Sequence, residues 1–260
     1  LSKIILEGPK EELDLTINTQ PAIFLISYSI FQVMKKEFNI DLNKAKFFAG
    51  HSLGEYSALA TSGSLNFQNA IKLLNERGKA MQAAVPLGTG GMIAVLGAEI
   101  KEINNLLEEN QNNYKCYIAN DNSNGQIVLS GLNKDIDKFI ETLKEKKIKN
   151  IKLPVSAPFH CKLMNKATSI MIDKINNSNF AKPKNVIISN VTGSGTQEIK
   201  EIKDLLIKQI ESPVRWRESV VYMIKNGVTN FIEIGPGKVL SGLVKRIDKT
   251  VKVNSINKLE

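Results

Sequence analysis

The chain has 260 residues, 42% hydrophobic and 23% charged, globular proportions that exclude collagen, a continuous coiled coil and a disordered chain. No run of about 18 apolar residues is present to cross a membrane. Two cysteines, Cys116 and Cys161, and two histidines, His51 and His160, supply neither a disulfide framework nor a dedicated transition-metal site. The formal charge is +9, but the lysines are scattered and no basic run interleaves with aromatics, so compositional bias accounts for the charge better than nucleic acid does.

In chain order the pattern alternates strand and helix, which points to the α/β class. A helix is predicted from Thr19 to Phe38, with Thr19 as cap and Pro21 in the first turn. A short strand, Lys46–Ala49, runs into Gly50-His51-Ser52-Leu53-Gly54, followed by helices over Glu55–Thr61 and Asn66–Ala84. Strand Gly91–Leu96 and helix Glu99–Glu109 come next. Strands Lys115–Ala119 and Gln126–Ser130 then flank a turn-rich Asn120–Gly125, before helix Lys134–Lys146 and strand Ile148–Val155. That order, β-α-β-β-α-β, is the ferredoxin-like split unit, compact enough to be an insertion. Beyond Pro158 the larger pattern resumes: helix Lys162–Asn176, strand Val186–Ser189, helices Ile199–Glu211 and Arg217–Asn226, strand Phe231–Ile234, helix Val239–Arg246 and strand Val251–Ile256.

Gly50-x-Ser52-x-Gly54 between a strand and a helix has the context of a nucleophile elbow. The sharp turn lifts the hydroxyl above the sheet, and the flanking glycines relieve crowding. The Leu53 N–H, at the start of the following helix, is placed to stabilise an oxyanion. The bland reading is a glycine-rich turn around an inert serine. A serine nucleophile needs a base. His51 is its sequence neighbour and leaves the turn in another direction, so it packs near the elbow rather than serving as base. His160, by elimination, supplies the imidazole, where the inserted unit returns to the main body. Arg77 falls on the apolar stripe of Phe67, Ala70, Ile71, Leu74 and Met81. There it either snorkels out, forms a structural ion pair, or binds an anion such as an acyl carboxylate through two parallel hydrogen bonds.

Several ordered stretches resemble the malonyl-CoA:acyl carrier protein transacylase family over nearly the whole chain. They are Thr19-Gln20-Pro21-Ala22, Gly50–Leu59, Arg77–Gln82, Ser156–His160, Ser212–Trp216 and Gly235–Leu240. The resemblance implies a hydrolase-like parallel-sheet α/β subdomain, 1–86 plus 158–260, with an inserted ferredoxin-like subdomain, 87–157. It implies Ser52 as acyl-accepting nucleophile, His160 as general base and acid oriented by the main-chain carbonyl of Gln209, and Leu53 N–H in the oxyanion hole. Arg77 becomes the clamp on the malonyl carboxylate. Gln20, His51, Met81, Asn120, Asn122 and Phe159 complete the substrate site, the Phe159 ring crowding an α-methyl group. The substrate is malonyl-CoA, the acceptor an acidic acyl carrier protein, and no cofactor is implied. Lys162, Lys166 and Arg215 are candidates for a basic rim.

Two departures accompany the resemblance. The family's opening strand and its Gly-Gln-Gly-Ser-Gln motif, source of a second oxyanion donor, are absent, so the sequence is expected to begin about 40 residues inside the family's fold. Asn124 also stands where the family usually has proline. A monomer in a bacterial cytoplasm is expected, or a plastid-type organelle if a transit segment has been removed. Two other readings stay open: a serine esterase or thioesterase using Asp135 or Asp137, on a helix read as exposed, and a catalytically incomplete acyltransferase-like fragment.

Overall fold

The computed structural model describes residues 1–258 apart from Ser156, which therefore lies outside the described residues although it opens one of the family-like stretches. In chain order it contains α1 (Ser2–Glu7), α2 (Lys10–Asp14), α3 (Thr16–Lys36), β1 (Phe47–Phe48), α4 (Gly54–Thr61), α5 (Phe67–Ala83) and β2 (Gly90–Leu96). Next are α6 (Ile100–Glu109), β3 (Cys116–Ser123), β4 (Gln126–Leu132), α7 (Asn133–Glu145), β5 (Lys149–Lys152), α8 (Asn165–Asn176) and β6 (Val186–Ile188). The last are β7 (Gly195–Thr196), α9 (Ile199–Gln209), α10 (Trp216–Lys225), β8 (Asn230–Ile234), α11 (Val239–Ile247) and β9 (Lys252–Ile256). No described helix is long and apolar enough to cross a membrane.

Strands β2 to β5 form one sheet, in the order β3-β4-β2-β5 with every neighbour antiparallel, and a parallel bridge from Asn120 to Val214 ties its β3 edge to the rest of the chain. Helices α6 and α7 cover one face of this sheet, burying Ile103, Leu106, Ile136, Phe139 and Leu143 against Ile93, Val95, Ile127 and Leu129. The remaining strands form two small sheets. In one, β1 runs parallel to β6 and β7 adds an antiparallel edge; in the other, β8 and β9 are parallel. The largest apolar cluster joins Phe24 of α3, Tyr56 and Leu59 of α4, Leu74 and Met81 of α5, and Met171 and Ile175 of α8. Helices α3 and α5 approach closely at Gly78, where a Cβ would lie 2.8 Å from the Ile17 Cα and the Thr16 carbonyl oxygen.

Two local expectations are corrected. Helix α3 begins at Thr16 with Leu15 as its N-cap residue, so Pro21 lies inside the helix. Thr19 is not the cap. Its hydroxyl bonds back to the Leu13 and Leu15 carbonyls at 2.6 and 3.0 Å, tying the preceding segment into the helix. The Asn120–Gly125 segment is mostly strand, because β3 continues to Ser123 and leaves only Asn124-Gly125 as the turn. Asp121 and Asn122, which read as turn formers, instead find tertiary partners in Arg217 and His51, and register shifts at Ile118/Asn120 and Asp121/Ser123 interrupt the ladder. Helix α5 does start as its sequence suggests, with the Asn66 side chain accepting from the Asn69 N–H at 2.7 Å.

Candidate active site

The chain leaves β1 through Gly50 and turns into α4. A Cβ on Gly50 would lie 2.0 Å from the main-chain carbon and oxygen of Gly54, so no other residue fits there without moving the helix. Gly54 itself has nothing within 4 Å of where a Cβ would stand, so only one of the two glycines relieves crowding. Ser52 holds a left-handed φ of 53°, the strained conformation of a sharp strand-to-helix turn. Gly54, Glu55 and Tyr56 donate to the carbonyls of His51, Ser52 and Leu53 at 2.9, 3.1 and 3.1 Å. These bonds close the first turn beyond Leu53 and leave the Leu53 N–H ahead of it, beside the serine.

His160 arrives from the other side, also with a left-handed φ, 57°. Its approach is set where Pro158 packs on Gly90, at which a Cβ would lie 2.4 Å from the proline ring. Nδ1 lies 2.9 Å from the main-chain oxygen of Gln209 and Nε2 lies 2.7 Å from Ser52 Oγ. A carbonyl only accepts, so Nδ1 carries the proton and the Nε2 lone pair receives the serine O–H. Burial, with the Arg77 charge adding to it, lowers the His160 pKa to about 3 against the opposing Gln209 hydrogen bond, so the ring is neutral near pH 7. Because Gln209 occupies Nδ1, neither aspartate of the esterase reading orients this histidine. Asp135 is in fact buried in α7 rather than exposed, and Asp137 accepts from Lys152 Nζ at 2.6 Å.

Arg77 does not snorkel. It is 1% exposed, and it is the one Lys or Arg buried among the described residues. Nη1 donates to Gln20 Oε1 at 2.6 Å, and Nη2 donates to Gln209 Oε1 at 2.8 Å and to Ser52 Oγ at 3.1 Å. Its Nε has no partner among the described residues, and the guanidinium carbon lies 5.8 Å from the Tyr56 ring centroid. Burial lowers its pKa, opposed by Tyr56 and Glu55. Gln20 is fixed in turn, its Nε2 donating to Thr16 Oγ1 at 2.9 Å and approaching Met81 Sδ at 3.7 Å. Three of five guanidinium N–H groups are thus engaged by neutral oxygens, a buried cation with no carboxylate in direct contact.

Sequence reasoning missed a second layer. The Gln209 side chain, beyond its carbonyl, also reaches the Ser52 carbonyl at 3.1 Å and Glu55 Oε2 at 2.8 Å through Nε2. Asn190 accepts from the Ser52 N–H at 2.6 Å and donates to the Gly50 carbonyl at 2.8 Å, pinning the elbow from both sides. Glu55 Oε2 also accepts from the Asn190 N–H at 3.0 Å. Burial raises the Glu55 pKa to about 7 despite these donors and the Arg77 charge. Glu55 carried a signal, an acid opening a helix whose next turn is Tyr56-Ser57-Ala58-Leu59. Asn190 carried none, standing in a loop after β6.

The other predicted residues are distributed around this centre. His51 Nε2 donates to Asn122 Oδ1 at 2.9 Å, its ring lies 5.8 Å from that of Trp216, and burial lowers its pKa. Asn120 Oδ1 is buried without a partner among the described residues. Phe159 packs between the main cluster and that of Met92, Ala94, Ala119 and Val128. Lys162 and Lys166 are exposed, whereas Arg215 is committed to Glu218 through Nε at 3.0 Å and Nη2, so it is no free cation for a rim. Among the described residues no group of three or more His, Cys, Asp or Glu could hold a metal ion.

Comparison with known proteins places the chain in a family. The acyl transferase domain family matches residues 1–258. A Bacillus subtilis protein named malonyl CoA-acyl carrier protein transacylase is 42% identical over 261 residues, 99% of this chain and 80% of its own. The crystal structure of an acyl-carrier-protein S-malonyltransferase from Bartonella henselae superposes with a TM-score of 0.95 at 40% identity, covering 99% of this chain and 82% of that one. A type II PKS acyl-carrier protein in complex with its malonyl-transacylase gives 0.94 at 36% identity, covering 99% and 83%. The chain belongs to the acyl transferase family and, within it, to the malonyl-CoA-acyl carrier protein transacylases.

Proposed function

We propose that this protein moves a malonyl group from coenzyme A to the phosphopantetheine thiol of an acyl carrier protein, supplying fatty acid synthesis. The observation that carries this reading is the buried Arg77 guanidinium touching Ser52 Oγ at 3.1 Å, within reach of the far end of a three-carbon diacid esterified to that oxygen.

Ser52 Oγ gives its proton to His160 Nε2 and attacks the thioester carbonyl. The oxyanion forms beside the Leu53 N–H. Collapse expels coenzyme A, whose thiolate takes the proton from His160, leaving malonyl-Ser52. The carrier thiol then gives its proton to His160, attacks the ester and regenerates the serine. The Gln209 carbonyl holds the imidazole in the productive tautomer and stabilises its transient positive charge. On acylation the Arg77 Nη2–H released by Ser52, with the remaining Nη1–H, binds the carboxylate end-on, and Gln20 and Met81 hold the guanidinium in place. Bound this way, the malonyl group leaves water badly placed, which favours transfer over hydrolysis. No cofactor takes part.

The reading extends to architecture and partners. Residues 1–86 with 158–260 form the subdomain carrying Ser52, Arg77 and His160, and residues 87–157 form the one carrying Asn120 and Asn122. The acceptor is an acidic carrier protein, met by exposed Lys162 and Lys166 near His160. The protein acts as a monomer in a bacterial cytoplasm or a plastid-type organelle. Mixing it with malonyl-CoA and reading intact mass tests the core of this reading. A malonyl adduct absent from Ser52→Ala and discharged by a carrier thiol is expected, and hydrolysis without transfer would refute it.

A further inference from the structure

Among the described residues, one ion pair with a buried carboxylate and a half-buried guanidinium joins the antiparallel sheet to the body that carries the elbow. Arg217, in the first turn of α10, donates through Nε to both oxygens of Asp121 at 3.1 and 3.0 Å and through Nη2 to Oδ2 at 2.7 Å. The Asp121 side chain is 3% exposed. Burial raises its pKa, and the hydrogen bonds and charge of Arg217 oppose that shift.

Asp121 stands between the two asparagines assigned to the substrate site, and its main chain is tied down as well. Its N–H donates to the Val214 carbonyl at 2.9 Å, and the Val214 N–H donates to the Ala119 carbonyl at 2.8 Å. The contacts form a closed ring. Arg217 holds Asp121, Asn122 accepts from His51, and the His51 ring lies against Trp216, the residue before Arg217. His51 precedes Ser52, so the ring fixes the β3 wall relative to the nucleophile. Asn120, the β3 residue before Asp121, has a buried Oδ1 with no partner among the described residues.

We propose that Asp121 and Arg217 are positioning residues: by locking Asn120 and Asn122 against the elbow they set how tightly the acyl-CoA substrate is held, without touching the reacting atoms. This rests on the malonyl-transfer reading of the Ser52 cleft.

The test measures Ser52 acylation rate against malonyl-CoA concentration for wild type, Arg217→Lys, Arg217→Met and Asp121→Asn, with labelling by a small sulfonyl fluoride as a separate readout of the elbow. Arg217→Met and Asp121→Asn are expected to raise the half-saturating concentration about tenfold or more, with the maximal rate and sulfonyl fluoride labelling within about twofold of wild type. Arg217→Lys, which keeps the charge but not the fork, is expected to fall between. An unchanged half-saturating concentration overturns the proposal. So does a parallel loss of maximal rate and sulfonyl fluoride labelling, which would make the pair a support of the whole elbow. Wild type that takes up sulfonyl fluoride but no malonyl group would instead overturn the transfer reading on which the proposal rests.

Discussion

Arg77 Nη2 donates to Ser52 Oγ at 3.1 Å, so the cation proposed to clamp an acyl carboxylate already touches the hydroxyl proposed as nucleophile before any acyl group arrives. The same N–H can serve the hydroxyl or the substrate, not both. Removing the guanidinium should therefore hurt substrates that carry a far carboxylate more than those that do not. Arg77→Ala is expected to lose about a hundredfold or more in kcat/KM for malonyl-CoA, the scale of truncating one side of a buried charge pair, and under about tenfold for acetyl-CoA. Equal losses for the two thioesters would show that Arg77 serves only the serine.

His160 offers a second measurement. With its pKa near 3, the imidazole stays neutral far below the range where a free histidine protonates. The acylation rate is expected to remain level from pH 8 to about pH 5, because base function is lost only as pH falls toward the folded value. Quenched-flow intact mass across that range checks this. A halving near pH 6.5 would place His160 in a far wetter environment than the fold gives it.

Much of this centre was legible in the sequence because its residues sit on regular patterns. Ser52 stands in a glycine-framed turn, and Arg77 interrupts an apolar helical stripe at a position where a cation is conspicuous. The Gln209 carbonyl came only through family resemblance, since any residue has one. Glu55, Asn190 and the Asp121–Arg217 pair were not found. Each acts through a partner distant in sequence, and Asn190 and Asp121 stand in segments that read as polar loops. The extra length of β3 was missed for the same reason: Asp121 and Asn122 look like turn formers until Arg217 and His51 are supplied as partners.

Glu55 makes the site's cost visible in stability. Its pKa is raised from 4.5 to about 7 by burial, so the folded state holds the proton more tightly than the unfolded one. Stability from this group is fully present below pH 4.5 and lost as pH rises to about 7, by roughly 3 kcal/mol. His160 runs the other way, with stability present above pH 6.5 and lost as pH falls toward 3. Between about pH 4.5 and 6.5 the two slopes oppose. Glu55→Gln keeps an oxygen for the Asn190 and Gln209 donors while removing the titration. Relative to wild type it is expected to gain about 3 kcal/mol on going from pH 4.5 to pH 7.5 in urea unfolding. Parallel curves for the two proteins would mean Glu55 is not desolvated.

The two elbow glycines should separate cleanly. A Cβ on Gly50 would sit 2.0 Å from Gly54 backbone, whereas one on Gly54 meets nothing within 4 Å. Gly50→Ala is expected to cost more than about 3 kcal/mol, or to prevent recovery of folded protein. Gly54→Ala, at the first residue of α4, is expected to be neutral or stabilising by up to about 1 kcal/mol. Thermal unfolding of both variants decides, and comparable losses would remove the steric account of the turn.

Phe159 immediately precedes His160, the proposed base, and its ring packs between the main core and the Met92, Ala94, Ala119 and Val128 cluster of the antiparallel sheet. Its backbone is held on both sides, the N–H donating to the Ala157 carbonyl at 3.1 Å and the carbonyl accepting from Ser130 Oγ. On the proposed reading the ring crowds an extra methyl group on the substrate, and one such group in an apolar pocket is worth about ten- to two-hundredfold in selectivity. Shortening the side chain removes the obstruction but also leaves a void, so the absolute rate is the wrong readout. Phe159→Ala is expected to narrow the kcat/KM preference for malonyl- over methylmalonyl-CoA by about tenfold, even if both rates fall as the neighbouring His160 loosens. Competition between the two thioesters, resolved by the mass of the acyl-Ser52 adduct, measures that ratio directly. A ratio equal to that of wild type would reduce Phe159 to a core residue and move selectivity elsewhere in the cleft.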